Sequence, residues 1–118
     1  MEITRYETGR RMSQIVVAGG FVFLAGRVAE DTSQDVQGQT QQILDQFEKL
    51  LAKAGTDKTR ILSASIWMAD VTYFDAINEV WDGWIPQGHA PARACVESRL
   101  ARPEFKVEIG MIAATKEA

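Results

Sequence analysis

Two spacings of apolar residues alternate along this chain, one near every second position and one near every 3.6, and the switches between them mark out its elements. Ile15 to Ala18 and Phe21 to Ala25 are short apolar runs joined by Gly19-Gly20, a dipeptide suited to a two-residue turn with positive φ, so they predict a β-hairpin. From about Asp35 to Ala54, the residues Val36, Ile43, Leu44, Phe47, Leu50, Leu51 and Ala54 follow the helical period, and Gly55 stands where a C-terminal cap is wanted. Leu62, Ala64, Ile66 and Met68 then alternate with Ser63, Ser65, Trp67 and Ala69, which predicts a strand carrying Trp67 on its second face. Thr72 with Asp75 resembles a capping pair, and Phe74, Ile77, Val80, Trp81, Trp84 and Ile85 form the stripe of a second helix that Pro86 ends.

The segment after Pro91 breaks the apolar pattern where strands would keep it. Arg93, Cys95 and Glu97 alternate with Ala94, Val96 and Ser98, so the arginine and the thiol project from one face of a short strand. Farther on, Glu108 lies between Val107 and Ile109 in the run KVEIGMIA, a costly position unless the carboxylate has a partner. Arg93 is the expected partner. Spacing alone leaves two readings of Arg93: a strand-end arginine in a structural ion pair, or a fork that holds a ligand carboxylate through two parallel hydrogen bonds.

The order of elements is hairpin, helix, strand, helix, then two strands, which predicts an α+β single domain over 1–118 with both helices on one face of a mixed sheet. At 118 residues such a domain buries roughly two thirds of its unfolded-state surface. The other sheet face has no helix to cover it, although Trp67 and several apolar strand residues point that way, so oligomerisation is expected. A formal net charge of -3 gives no broad electrostatic footprint for nucleic acid or an anionic membrane. One cysteine cannot form an internal disulfide, and with one histidine there is no Cys/His cluster at metal-ligand spacing. No run approaches the ~18 apolar residues of a membrane span, and a cytoplasmic protein is expected.

The string Pro91-Ala92-Arg93, then a small residue, Cys95 and Val96, followed about a dozen residues later by Val107-Glu108-Ile109, resembles the C-terminal signature of the Rid (YjgF-type) reactive-intermediate deaminases. Ser13-Gln14, the hairpin ending at Gly26, the Gln39-Thr40 and Ala54-Gly55 positions, and Asp70 through Asn78 occur in that family's order, so the likeness covers nearly the whole chain. It implies a chorismate-mutase-like fold with the final strand inserted between earlier ones. The residues alone would instead pair the last two strands as a hairpin. It further implies a homotrimer with ligand clefts between subunits, and hydrolysis of 2-imino acids to 2-keto acids and ammonia without metal or organic cofactor.

By the same resemblance, Arg93 grips the substrate carboxylate, Glu108 positions water and moves protons, Cys95 and Asn78 line the cleft, and the Gly26 backbone N–H faces the ligand. From the residues alone, Cys95 reads as a small buried hydrophobe, Asn78 as a solvated helix polar, and Gly26 as a bulge glycine. His89, between Gly88 and Ala90, is expected to be exposed, and Glu97 to form a surface or interface ion pair. Lys58 and Arg60 read as solvated loop charges, and with no basic stripe interleaved with aromatics an endoribonuclease reading is disfavoured. A non-catalytic small-acid sensor uses the same residues and stays open. Two departures bear on the substrate. Met12-Ser13-Gln14 stands where the best-known 2-aminoacrylate deaminases have Tyr-Ser-Gln, and Arg27 stands where many members have glutamine, available for an acidic ligand group or a second subunit's Glu97.

Overall fold

The computed structural model describes residues 1–116. In chain order these form β1 (Ile3–Thr8), β2 (Ser13–Ala18), β3 (Phe21–Arg27), α1 (Val36–Lys53), β4 (Ile61–Met68), α2 (Phe74–Trp84), β5 (Ala92–Glu97) and β6 (Val107–Ala114). The sheet order is β1-β2-β3-β6-β4-β5, so the last strand lies between β3 and β4 and the expected inserted order holds. β5 does not form a hairpin with β6; it runs parallel to β4 at the sheet edge. A nine-residue link, 98–106, has room to carry the chain past β4.

Local signals explain most of these boundaries. Gly19 and Gly20 have φ of 59° and 86°, the two positive values a primed two-residue hairpin requires. Asp35 caps α1 by accepting from the Gly38 N–H at 2.8 Å. At its other end Gly55, φ 78°, donates to Ala52 and Thr56 to Leu51, both at 3.0 Å, which closes a Schellman motif.

Three expectations are corrected. β1 opens the sheet ahead of the predicted hairpin, where Arg5 and Glu7 interrupt the apolar pattern, a composition suited to an exposed edge strand. The second helix is opened not by Thr72 and Asp75 but by Asp70, which accepts from the Thr72 N–H at 2.9 Å and starts a single 3₁₀ turn that runs into α2. Leu62 leaves the buried row because the β4–β6 register slips between Ile61 and Ser63, and Ile61 takes the inward position.

Both helices pack on one face. Ile15, Val22, Leu24, Ala64, Ile66, Val107, Ile109 and Met111 meet Ile43, Leu44, Phe47, Leu51, Ile77 and Trp81 there in one buried cluster. The opposite face carries rows read directly from the register: Arg5–Val16–Phe23–Ile112–Ser63–Ala92, and at one end Glu108–Trp67–Val96. No helix covers these, and Phe21, Phe23 and Val96 are 46%, 43% and 50% exposed. Two tryptophans, Trp81 and Trp84, are in the core; Trp67 lies on the open face.

Candidate functional site

β5 pairs with β4 in a register that sets Arg93 beside Ala64 and Cys95 beside Ile66. Both neighbours belong to the helix-covered core, so Arg93 and Cys95 share a face, as expected, and it is the helix face. The Arg93 guanidinium lies over the Trp81 ring of α2 at 5.4 Å, a cation–π stacking that leaves the edges of the fork free to donate. Asn78 is one turn before Trp81 on that helix, and its Oδ1 is buried with no hydrogen-bond partner. Cys95 Sγ lies 3.9 Å from the Met68 sulfur. Burial pushes the Cys95 thiol above its usual value, and the nearby Arg93 charge offsets part of that rise.

Glu108 occupies the other face. Its register partner is Trp67, and its Oε2 lies where a β-carbon on Gly26 would come within 2.3 Å. Gly26 therefore makes room for a carboxylate, a firmer reason for glycine than a bulge alone. Trp67 lies nearby, its ring edge 3.6 Å from the position of a Gly110 β-carbon, an ordinary contact distance. The indole thus lies across the strand beside Glu108. The alternation of β4, which puts Trp67 on its second face, is the only sequence signal for this placement.

The expected pairing of Arg93 with Glu108 does not occur within the chain. β4 stands between their strands, an offset of two inter-strand spacings or about 10 Å, and the two side chains leave opposite faces. The ion pairs among the described residues are Lys53–Glu7, Lys58–Glu48 and Lys116–Asp57, so neither group has a charged partner there. The candidate residues thus fall into two groups: Arg93, Cys95 and Asn78 at the β5–α2 edge, and Gly26, Trp67 and Glu108 on the open face.

Other candidates take structural positions. Arg27 donates from Nε to Gln46 at 2.7 Å and from its terminal nitrogen to Gln14, so it is held by α1 and β2 and does not face Glu108. Glu97 accepts from the Val71 N–H at 2.7 Å; the expected ion pair is replaced by a turn-closing bond. Lys58 pairs with Glu48 at 2.9 Å and lies over Trp84, and Arg60 donates to the Thr115 carbonyl at 2.7 Å, so neither is merely a solvated loop charge. His89 is exposed, as expected.

Two expected outcomes follow from this geometry. Gly26→Ala places a methyl against the movable end of Glu108, so the fold is expected to lose no more than about 1 kcal/mol while activity drops as far as in Glu108→Gln. Thermal melting with paired kinetics checks this, and unchanged kinetics would refute the assigned contact. Cys95, protonated at neutral pH, is expected to react with iodoacetamide several-fold more slowly than free cysteine near pH 8. Its rate is expected to climb with pH beyond the point where free cysteine has levelled off; an earlier plateau would contradict the raised thiol.

A family model described as "Endoribonuclease L-PSP" matches residues 3–115. A RutC family protein from Haemophilus ducreyi is 43% identical, covering 95% of this chain and 96% of its own, and the Escherichia coli RutC family protein YoaB is 39% identical over 97% and 99%. A solved member of the YjgF protein family from Neisseria meningitidis superposes with a TM-score of 0.95 at 42% identity, covering 100% of this chain and 98% of its own. With the inserted final strand, two helices on one face and near-full coverage in sequence and structure, this chain belongs to the endoribonuclease L-PSP family, the YjgF/Rid proteins.

Proposed function

We propose that this protein hydrolyses the C=N bond of 2-imino acids, releasing a 2-keto acid and ammonia, at a site formed where the Arg93 edge of one subunit meets the Glu108 face of another in a homotrimer. The observation that carries the reading is that both half-sites are left open. Arg93 is stacked on Trp81 and has no ion-paired carboxylate among the described residues, and the Asn78 Oδ1, one helical turn before Trp81, has no hydrogen-bond partner there. Glu108 is set above Gly26 without a cation, on the face whose apolar rows no helix covers. Bringing a β5 edge against such a face satisfies the polar groups and buries the apolar ones together.

The chemistry then follows from the groups. Arg93 holds the substrate carboxylate through two parallel N–H donors, which fixes the imine carbon within reach of Glu108. Glu108 accepts a proton from water as its oxygen bonds to that carbon, giving a carbinolamine. The same carboxyl returns the proton to nitrogen and, a carboxylate again, takes the hydroxyl proton as the C–N bond breaks, so ammonia departs as the carbonyl forms. A protonated imine is electrophilic enough for the protein's task to be positioning and proton transfer. Cys95, with its thiol held protonated, contributes a wall and a weak S–H donor in this scheme.

The test follows keto-acid release from imino acids generated in situ by an amino-acid oxidase. Wild type is expected to accelerate release, and Arg93→Ala to abolish the acceleration. Keto acids that bind through Arg93 with no acceleration of any imine would replace this reading with that of a small-carboxylate-binding regulatory protein.

A further inference from the structure

We infer that the turn between β1 and β2 forms a cationic rim selecting substrates with a second, distal anionic group; this deepens the reading just given and rests on it. Arg5, Arg10 and Arg11, with Met12, Ser13 and Val16, line a concavity of about 360 Å³ at that turn. Arg5 pairs in register with Val16 and Val16 with Phe23, a row of the open face. The beginning of β2, the end of β3 and the beginning of β6 are neighbours at one end of the sheet, since the three strands run antiparallel in turn. The rim and Glu108 therefore share a face and an end of the sheet, with β2 two strand spacings (about 10 Å) and β1 three (about 14 Å) from β6. An arginine side chain spans much of that distance.

Glu7 explains why the rim stays positive. It is the only carboxylate between Tyr6 and Val16, yet its backbone is in the left-handed region at φ 51°, which non-glycine residues seldom adopt. That kink sends its side chain to Lys53 of α1, 3.1 Å away. Among the described residues the ion pairs all use lysine, and none involves Arg5, Arg10 or Arg11. Arg27, the other arginine near this end, is taken up by Gln14 and Gln46. On a chain of net charge -3, an unneutralised trio beside the proposed reacting centre gives the guanidinium forks to a second carboxylate or a phosphate.

The experiment measures binding of three product-like probes to the full chain by calorimetry: 2-oxobutanoate with one anionic group, 2-oxoglutarate with a second carboxylate, and 3-phosphooxypyruvate with a phosphate. Wild type is expected to bind at least one two-anion probe about tenfold more tightly than 2-oxobutanoate, and the tighter of the two names the distal group. In Arg10→Gln/Arg11→Gln the ratio is expected to fall to about one, and in wild type it is expected to shrink as salt is raised. Arg10→Glu/Arg11→Glu is expected to invert it. A wild-type ratio near one, or a ratio that survives both double variants, overturns the rim. Arg93→Ala separates the two levels of the proposal: if no probe binds in wild type, or if binding is untouched by Arg93→Ala, the functional reading falls and the rim falls with it.

Discussion

Mixing Arg93→Ala chains with Glu108→Gln chains is expected to restore activity that neither possesses alone. Each homogeneous variant should retain less than about one hundredth of wild-type keto-acid release, the scale expected for losing a two-point charged contact or a proton-transfer group. The register leaves no alternative within one chain, because the two residues stand on opposite faces with β4 between them. In oligomers reassembled from equal amounts, about one interface in four brings an intact Arg93 to an intact Glu108, so about one quarter of wild-type activity is expected. Absence of recovery, after sizing has established mixed oligomers, would falsify the shared site. Arg93→Lys adds a second readout: it keeps the charge but loses the planar fork and its stacking on Trp81, so KM is expected to rise about tenfold or more.

The largest effect on stability is expected at Gln39, a side chain with no exposed surface. Its amide nitrogen donates to the carbonyls of Thr32, Gln34 and Glu104 at 3.2–3.3 Å, and its oxygen accepts the Lys106 N–H at 3.0 Å. One amide thus ties the segment before α1 to the segment before β6. Gln39→Leu fills the space and leaves those backbone groups unpaired away from water, at ~1–3 kcal/mol for each that cannot find a substitute. A loss of about 3 kcal/mol and ~10 °C in Tm is expected, with faster hydrogen exchange at Lys106 reporting where the damage lies. A loss below about 1 kcal/mol would mean that water replaces the amide and that Gln39 is dispensable. Because Lys106 precedes the strand carrying Glu108 by one residue, a fall in activity exceeding the fall in folded fraction is also expected.

The parts of this fold legible in the sequence are those whose signal is local. The α1 stripe ends on Gly55, and Gly19-Gly20 closes its hairpin through positive φ, so both are determined by residues within a few positions. β1 escapes because an edge strand tolerates arginine and glutamate, which makes its pattern that of a loop. The position of β6 between β3 and β4 is a long-range choice that no short window contains; family resemblance supplied it, and the register agrees. The site divides in the same way. Parity along β5 puts Arg93 with Cys95, a local fact, whereas pairing Arg93 with Glu108 inside one chain needs neighbouring strands, and β4 stands between them. Arg27 looked available because sequence cannot show that Gln14 and Gln46 enclose it.

The inserted strand also has a consequence for how the molecule is made. β1, β2 and β3 are adjacent in chain order and can form a meander as they emerge, and β4 and β5 can follow with their connecting helix, but no strand bond joins these two groups until β6 arrives. Every long-range sheet contact between them therefore waits on the last of the six strands. Until then the growing chain exposes two unpaired edges, β3 and β4, that will later be the middle of the sheet, and a second nascent copy offers the same two edges. Synthesis on closely spaced ribosomes thus puts strand exchange between copies in competition with closure of the single sheet.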